Sequence, residues 1–122
     1  MIDSHCHLNF SSIRENISTI IDNAKNNNVT SILSINTDPE NFEEHYELIK
    51  NYQSIYLSYG LHPQNVSLIK TISRKTIIDF SQNNKVIAIG ETGLDFYHSK
   101  EFSKEQYLVF ENHIEASIET NL

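Results

Sequence analysis

The opening run Met1-Ile2-Asp3-Ser4-His5-Cys6-His7-Leu8 sets two histidines at i and i+2. On an extended strand successive side chains alternate faces, so that spacing turns both imidazoles to one side. A pair of imidazoles on one rigid strand loses little entropy when it chelates a divalent transition metal, for which histidine is the commonest protein ligand. A polar pair at a solvated strand end has the same spacing, and the motif alone leaves both readings open. By the same period of two, Asp3 is expected on the face of His5 and His7, where its carboxylate either orients an imidazole or makes a plain structural hydrogen bond. Cys6 alternates to the opposite face and reads as a small hydrophobe packed under a helix, not as a ligand.

A third candidate ligand, Glu91, follows the apolar run Val86-Ile87-Ala88-Ile89, with Gly90 and Gly93 on either side. Glycines there let the backbone pass close to a neighbour, and a carboxylate in that place can bridge two cations. A loop glutamate taken alone is an N-cap or a solvated acid; beside the histidine pair it is read as a ligand. His62, in Gly60-Leu61-His62-Pro63, sits where the chain leaves a strand tightly. Its imidazole either contacts a substrate oxygen or bonds to the backbone of its own turn. His45, His98 and His113 lack such context and are read as surface or helix-packing residues.

These groups lie far apart in the chain, and only a fold that gathers several loops at one mouth unites them. The periodicity describes such a fold. Ile2–Leu8 reads as a first strand, and Ile13, Ile17, Ile20, Ile21 and Ala24 mark a helix from about Ser12 to Asn26. Thr30–Ile35 is a second strand. Asp38-Pro39 offers an N-cap followed by proline at the first helical position, opening a helix with Phe42, Tyr46, Leu48 and Ile49 inward. Ser54–Tyr59 is a third strand, and a third helix is expected near Ile69 to Phe80. Val86–Ile89, apolar throughout, suits a strand buried on both faces. A last helix carries Tyr107, Phe110, Ile114 and Ile118. The order β-α-β-α-β-α-β-α predicts a parallel α/β architecture, whose sites lie beyond the C-terminal ends of the strands.

Composition narrows the class. The 122 residues are 39% hydrophobic and 20% charged, as in an ordinary globular domain. A formal charge of −7 argues against a basic face that holds nucleic acid by neutralising phosphates, while a bound cation supplies positive charge locally. A single cysteine excludes an intrachain disulfide and predicts a reducing, cytoplasmic setting. No stretch reaches the roughly 20 apolar residues of a membrane span, so no membrane partner is expected.

Asp3-Ser4-His5-Cys6-His7-Leu8, Gly60-Leu61-His62-Pro63 and Gly90-Glu91-Thr92-Gly93-Leu94-Asp95-Phe96, in this order and at these separations, resemble the TatD family of metal-dependent deoxyribonucleases. Gln106 and Phe110 are also similar to that family. Related metallohydrolases acting on phosphoesters or C–N bonds share a His-x-His strand, but the Gly90–Asp95 segment favours the deoxyribonucleases. The resemblance implies a (β/α)8 barrel, two divalent cations (Mg, Mn or Zn) and hydrolysis of DNA phosphodiester bonds by metal-activated water. It further implies that His5 and His7 hold one metal, Glu91 bridges both, and His62 lines the substrate side. Such barrels run to about 250 residues. Residues 1–122 therefore read as the N-terminal half of one, about its first four βα units. By the resemblance, the second metal's histidines and the aspartate that activates water lie beyond Leu122, so no catalytic residue is assigned within the chain. A truncated or split reading frame is the expectation, with a complementary C-terminal half or further copies of the chain as partner. A non-catalytic remnant or assembly module is the alternative.

Overall fold

The computed structural model describes residues 1–69 and 71–122. Four strands, β1 (Ile2–Cys6), β2 (Ser31–Ser34), β3 (Ile55–Tyr59) and β4 (Val86–Ile89), form one sheet in the order β1-β2-β3-β4. Every pairing is parallel. Among the described residues, six α-helices fill the connections and the C-terminal end: α1 (Ser11–Arg14), α2 (Ile17–Asn26), α3 (Phe42–Ile49), α4 (Val66–Ile69), α5 (Arg74–Ser81) and α6 (Ser103–Thr120).

The core lies between the sheet and the helices. Register places Ile32 beside Ile55 and Leu57 beside Val86, all buried on the helix side. Three rings lock α3, β3 and α5 together there: Tyr59 stacks on Phe80 at 4.6 Å, and Phe42 meets them edge-on at 5.1 and 5.2 Å. Such contacts add about 0.5–1.5 kcal/mol per pair beyond area burial.

Several elements differ from the periodicity, each for a local reason. The expected first helix is broken at Glu15–Asn16 into α1 and α2. Asp38 does cap, accepting from the Glu40 amide at 2.9 Å, but it opens a 3-10 turn at Pro39–Asn41 that precedes α3. The helix expected from Ile69 to Phe80 begins instead at Arg74, because Ser73 Oγ takes the Thr76 amide at 3.1 Å as an N-cap. Position 70 of that span lies outside the described residues.

One expectation about a face is corrected. β4 is not buried on both sides: it is the outermost strand of the sheet, and Ile87 is 46% exposed. On α6 the buried residues are Gln106, Val109, His113 and Ala116, while Tyr107, Ile114 and Ile118 are exposed. The polar Gln106 and His113 turn inward because each has loop backbone to bond, described below. Among the described residues no helix is long and apolar enough to cross a membrane.

Candidate metal centre

The candidate groups meet just past the C-terminal ends of β1, β3 and β4. Where β1 runs beside β2 the register slips by one residue between Asp3 and Cys6, so Asp3 pairs with Ile32 and Cys6 with Ser34. Both therefore point to the helix side. This corrects the expectation that Asp3 shares the histidines' face: its carboxylate accepts from the His5 amide at 3.1 Å, a contact with backbone and not with an imidazole. The slip brings Ser4 and His5 together to the other side, where both line a cavity of about 350 Å³ with Ser58 and Glu91. Cys6 is half-buried, and burial, with the nearby Asp3 charge adding to it, pushes its thiol up to about 11, which suits packing and not ligation.

His5 Nε2 lies 3.6 Å and His7 Nε2 3.8 Å from Glu91 Oε2. The three side chains each present a ligand atom within 4.8 Å of the others. Distances of 3.6–3.8 Å are too long for hydrogen bonds. They are close to the separation of about 3.4 Å between two donors that each sit ~2.1 Å from a tetrahedral ion. The donor set, two imidazoles and a carboxylate, suits a borderline divalent cation. Ser58 Oγ and Thr92 Oγ1, buried and without a partner among the described residues, line the same cavity as His5 and Glu91 and suit a polar occupant.

Hydrogen bonds set the two imidazole roles apart. His7 Nδ1 lies 3.3 Å from the Ile35 carbonyl oxygen, which can only accept; Nδ1 therefore carries the proton and Nε2 offers a lone pair toward Glu91. At His62 the pattern is reversed. Its Nδ1 accepts the Gln64 amide at 3.2 Å, so the neutral ring holds its proton on Nε2, 3.6 Å from Glu91 Oε1. A protonated Nε2 cannot ligate a cation but can donate to an oxygen. One cavity of about 250 Å³ contains His7, His62, Gln64 and Glu91 among its walls.

The supporting contacts come from elements the pattern reading left bland. His113 Nδ1 donates to the Val109 carbonyl at 2.7 Å, and its Nε2 accepts the Leu61 amide at 3.1 Å, pinning the turn that carries His62. Burial holds its pKa below the ordinary histidine value. Gln106 accepts from the Asp95 amide at 2.8 Å and donates to the Pro63 carbonyl at 3.3 Å, clamping the loops after β3 and β4 together. Gly60 explains the closeness of those loops: a Cβ there would lie 2.7 Å from Gly90 backbone. His45, buried on α3, bonds Ser34 Oγ at 2.7 Å and is a packing residue, whereas His98 is exposed. The signal for His113 and Gln106 lies in their spacing, since Gln106, Val109 and His113 share a helical face; an apolar pattern search passes over it.

Comparisons with known proteins agree on the class. A family model described as TatD related DNase matches residues 2–122. An uncharacterized metal-dependent hydrolase of Buchnera aphidicola subsp. Baizongia pistaciae (strain Bp) is 39% identical over 97% of this chain and 45% of its own length. The uncharacterized metal-dependent hydrolase YabD of Bacillus subtilis (strain 168) is 32% identical over all of this chain and 48% of its own. The crystal structure of YjjV, a TatD homologue from Escherichia coli K12, superposes with a TM-score of 0.84 at 26% identity, over 100% of this chain and 48% of that one. The chain thus spans about half the length of the relatives it matches.

Proposed function

Because the chain belongs to the TatD-related DNase family, we propose that it carries the first metal-binding half of a hydrolase that cuts phosphodiester bonds in DNA. The observation that supports this most is the convergence of His5, His7 and Glu91 from two strand ends onto one point. His5 and His7 would hold one divalent cation, with Glu91 as the shared carboxylate between it and a second. Held there, such a cation would supply Lewis acidity toward a phosphoryl oxygen and a water acidic enough to act as a nucleophile near neutral pH. His62, with its proton on Nε2, donates to a substrate oxygen beside that site and orients the phosphate. Asp3 steadies the strand that carries the ligands by holding the His5 amide.

Three protein ligand atoms are one short of the four of a closed site. In this reading the remaining ligands and the group that takes the water's proton come from a complementary half-barrel, in a longer chain or a partner. The single, half-buried Cys6 is in keeping with work in the cytoplasm. The shortfall of ligands also favours a second reading, a non-catalytic assembly module that keeps one metal.

A fluorescent DNA degradation assay with Mg²⁺ or Mn²⁺ separates the two. The purified chain alone is expected to show negligible cleavage. Cleavage returns, sensitive to EDTA, when a polypeptide supplying the other half of a similar enzyme is added, and it is lost again in Glu91→Ala. Completion without any cleavage sinks the nuclease reading and leaves the assembly module. Strong cleavage by the chain alone, lost in Glu91→Ala, shows that residues 1–122 hold the whole site.

A further inference from the structure

The loop after Glu91 ends in a surface group fixed more firmly than a solvated loop requires. Asp95 Oδ1 accepts the amides of Tyr97 at 3.1 Å and His98 at 3.3 Å. Its Oδ2 takes Gln64 Nε2 at 2.8 Å and His98 Nδ1 at 2.7 Å. The bonds from Gln64 and His98 lead in holding the carboxyl well below the usual carboxylate range. Asp95 is itself anchored to Gln106 through both its amide and its carbonyl. The His98 ring is thereby set with Nδ1 toward Asp95 and Nε2 left for an outside partner, although 61% of its side chain is exposed. Tyr97, 92% exposed, meets that ring edge-on at 5.1 Å.

This arm adjoins the metal centre. Gln64 is a wall of the cavity holding His7, His62 and Glu91, and also of a second one, about 300 Å³, holding Asp95 and His98. One side chain separates the two. A strand whose scissile phosphate lay at His5, His7 and Glu91 would pass a neighbouring phosphate and base over Gln64, the wall common to both cavities.

We propose that Tyr97 and His98 form a nucleotide-contacting arm beside the metal centre, with Tyr97 stacking on a base and His98, when its ring carries both protons, giving Nδ1–H to Asp95 and Nε2–H to the attached phosphate. The arm rests on the phosphodiesterase reading above and specifies which residues grip the substrate next to the reacting group. Asp95 and Glu101 line the same cavity and repel a bare anion. Free phosphate is therefore a poor ligand, and the stacked base must supply part of the grip. His98 and Tyr97 position the strand and take no part in the bond-breaking step.

The test uses the full chain loaded with Zn²⁺ and a fluorescein-labelled single-stranded tetranucleotide, followed by anisotropy, with an abasic analogue and inorganic phosphate as further probes. Tyr97→Ala is expected to weaken tetranucleotide binding about 5- to 150-fold, the range of one base–aromatic stack, and to leave the abasic analogue unchanged. His98→Gln weakens both oligonucleotides. Neither variant alters Zn²⁺ uptake, and in an enzyme completed with the other half both raise KM with kcat held. Wild-type binding in both variants overturns the arm, as does a Zn²⁺-loaded wild type that binds no oligonucleotide or binds inorganic phosphate as well as the tetranucleotide. If the variants are silent while the completed enzyme cleaves DNA, the arm is wrong and the hydrolase reading stands. If the arm binds as described while the completed enzyme cleaves nothing, the reverse holds.

Discussion

His7 and His62 show how much the chemistry of an imidazole depends on the bond made by its other nitrogen. Both rings face Glu91 through Nε2, at 3.8 and 3.6 Å. The Ile35 carbonyl makes one a lone-pair donor, and the Gln64 amide makes the other a proton donor. Metal affinity follows from this. His7 is oriented before any ion arrives, whereas His5 is 54% exposed and held mainly through its backbone. With water completing the coordination, binding should be measurable but weak. In calorimetric titrations with Zn²⁺ or Mn²⁺, each single alanine variant should lose at least about tenfold, His7→Ala more than His5→Ala, and the double variant should show no uptake. Superimposable isotherms for wild type and double variant would remove the metal centre.

At the level of elements, the contact between β2 and α3 carries a pH dependence. His45, on α3, is buried against Ser34 of β2, with 2.7 Å between Nε2 and Oγ. Burial, with a smaller contribution from the neighbouring His7, lowers its pKa to about 4. The unfolded chain takes up a proton on His45 near pH 6.5, while the folded chain refuses it until about pH 4. Stability from this group is therefore complete above pH 6.5 and is lost as pH falls toward 4, by an amount on the order of 3 kcal/mol. His113, lowered by burial as well, acts in the same direction. Urea melts at pH 7, 6 and 5 should show falling midpoints, with a shallower fall in His45→Gln. A slope unchanged by that substitution would assign the effect to other groups.

For the whole molecule, the issue is surface. A compact chain of 14.1 kDa has an accessible area of about 6,700 Å² by the usual scaling, and this one has 7298 Å². The excess of about 600 Å² includes Ile2 on β1, Ile87 on β4, and Tyr107, Ile114 and Ile118 on α6. β1 and β4 end the sheet, each with one side unpaired among the described residues. Open parallel edges and a bare apolar helix face favour association. At micromolar concentration, light scattering should find oligomers or aggregates of the isolated chain, and a complementary half-barrel should return it to a defined complex. A monodisperse monomer with a cooperative melt would contradict this.

The strand-helix alternation, the parallel class and the candidate trio His5, His7 and Glu91 were legible in the residues, because period-two and period-3.6 patterns and the His-x-His and Gly-Glu-x-Gly spacings are local properties of the chain. The family likewise followed from short motifs in a fixed order, and the match over residues 2–122 agrees with it. What the chain could not disclose locally were relations between distant segments. A one-residue slip between β1 and β2 moved Asp3 to the helix side, and no reading of β1 by itself contains its partner's register. The inward face of α6 was decided by Gln106 and His113 reaching the loops of Pro63, Leu61 and Asp95. Tyr107, Ile114 and Ile118, apolar residues that mark this helix in the sequence, are exposed. Hydrogen bonds across the fold likewise set which nitrogen of His7 and of His62 holds the proton. Local sequence determines which groups a strand end can offer; only the packed tertiary structure decides which way they turn, because that depends on partners tens of residues away.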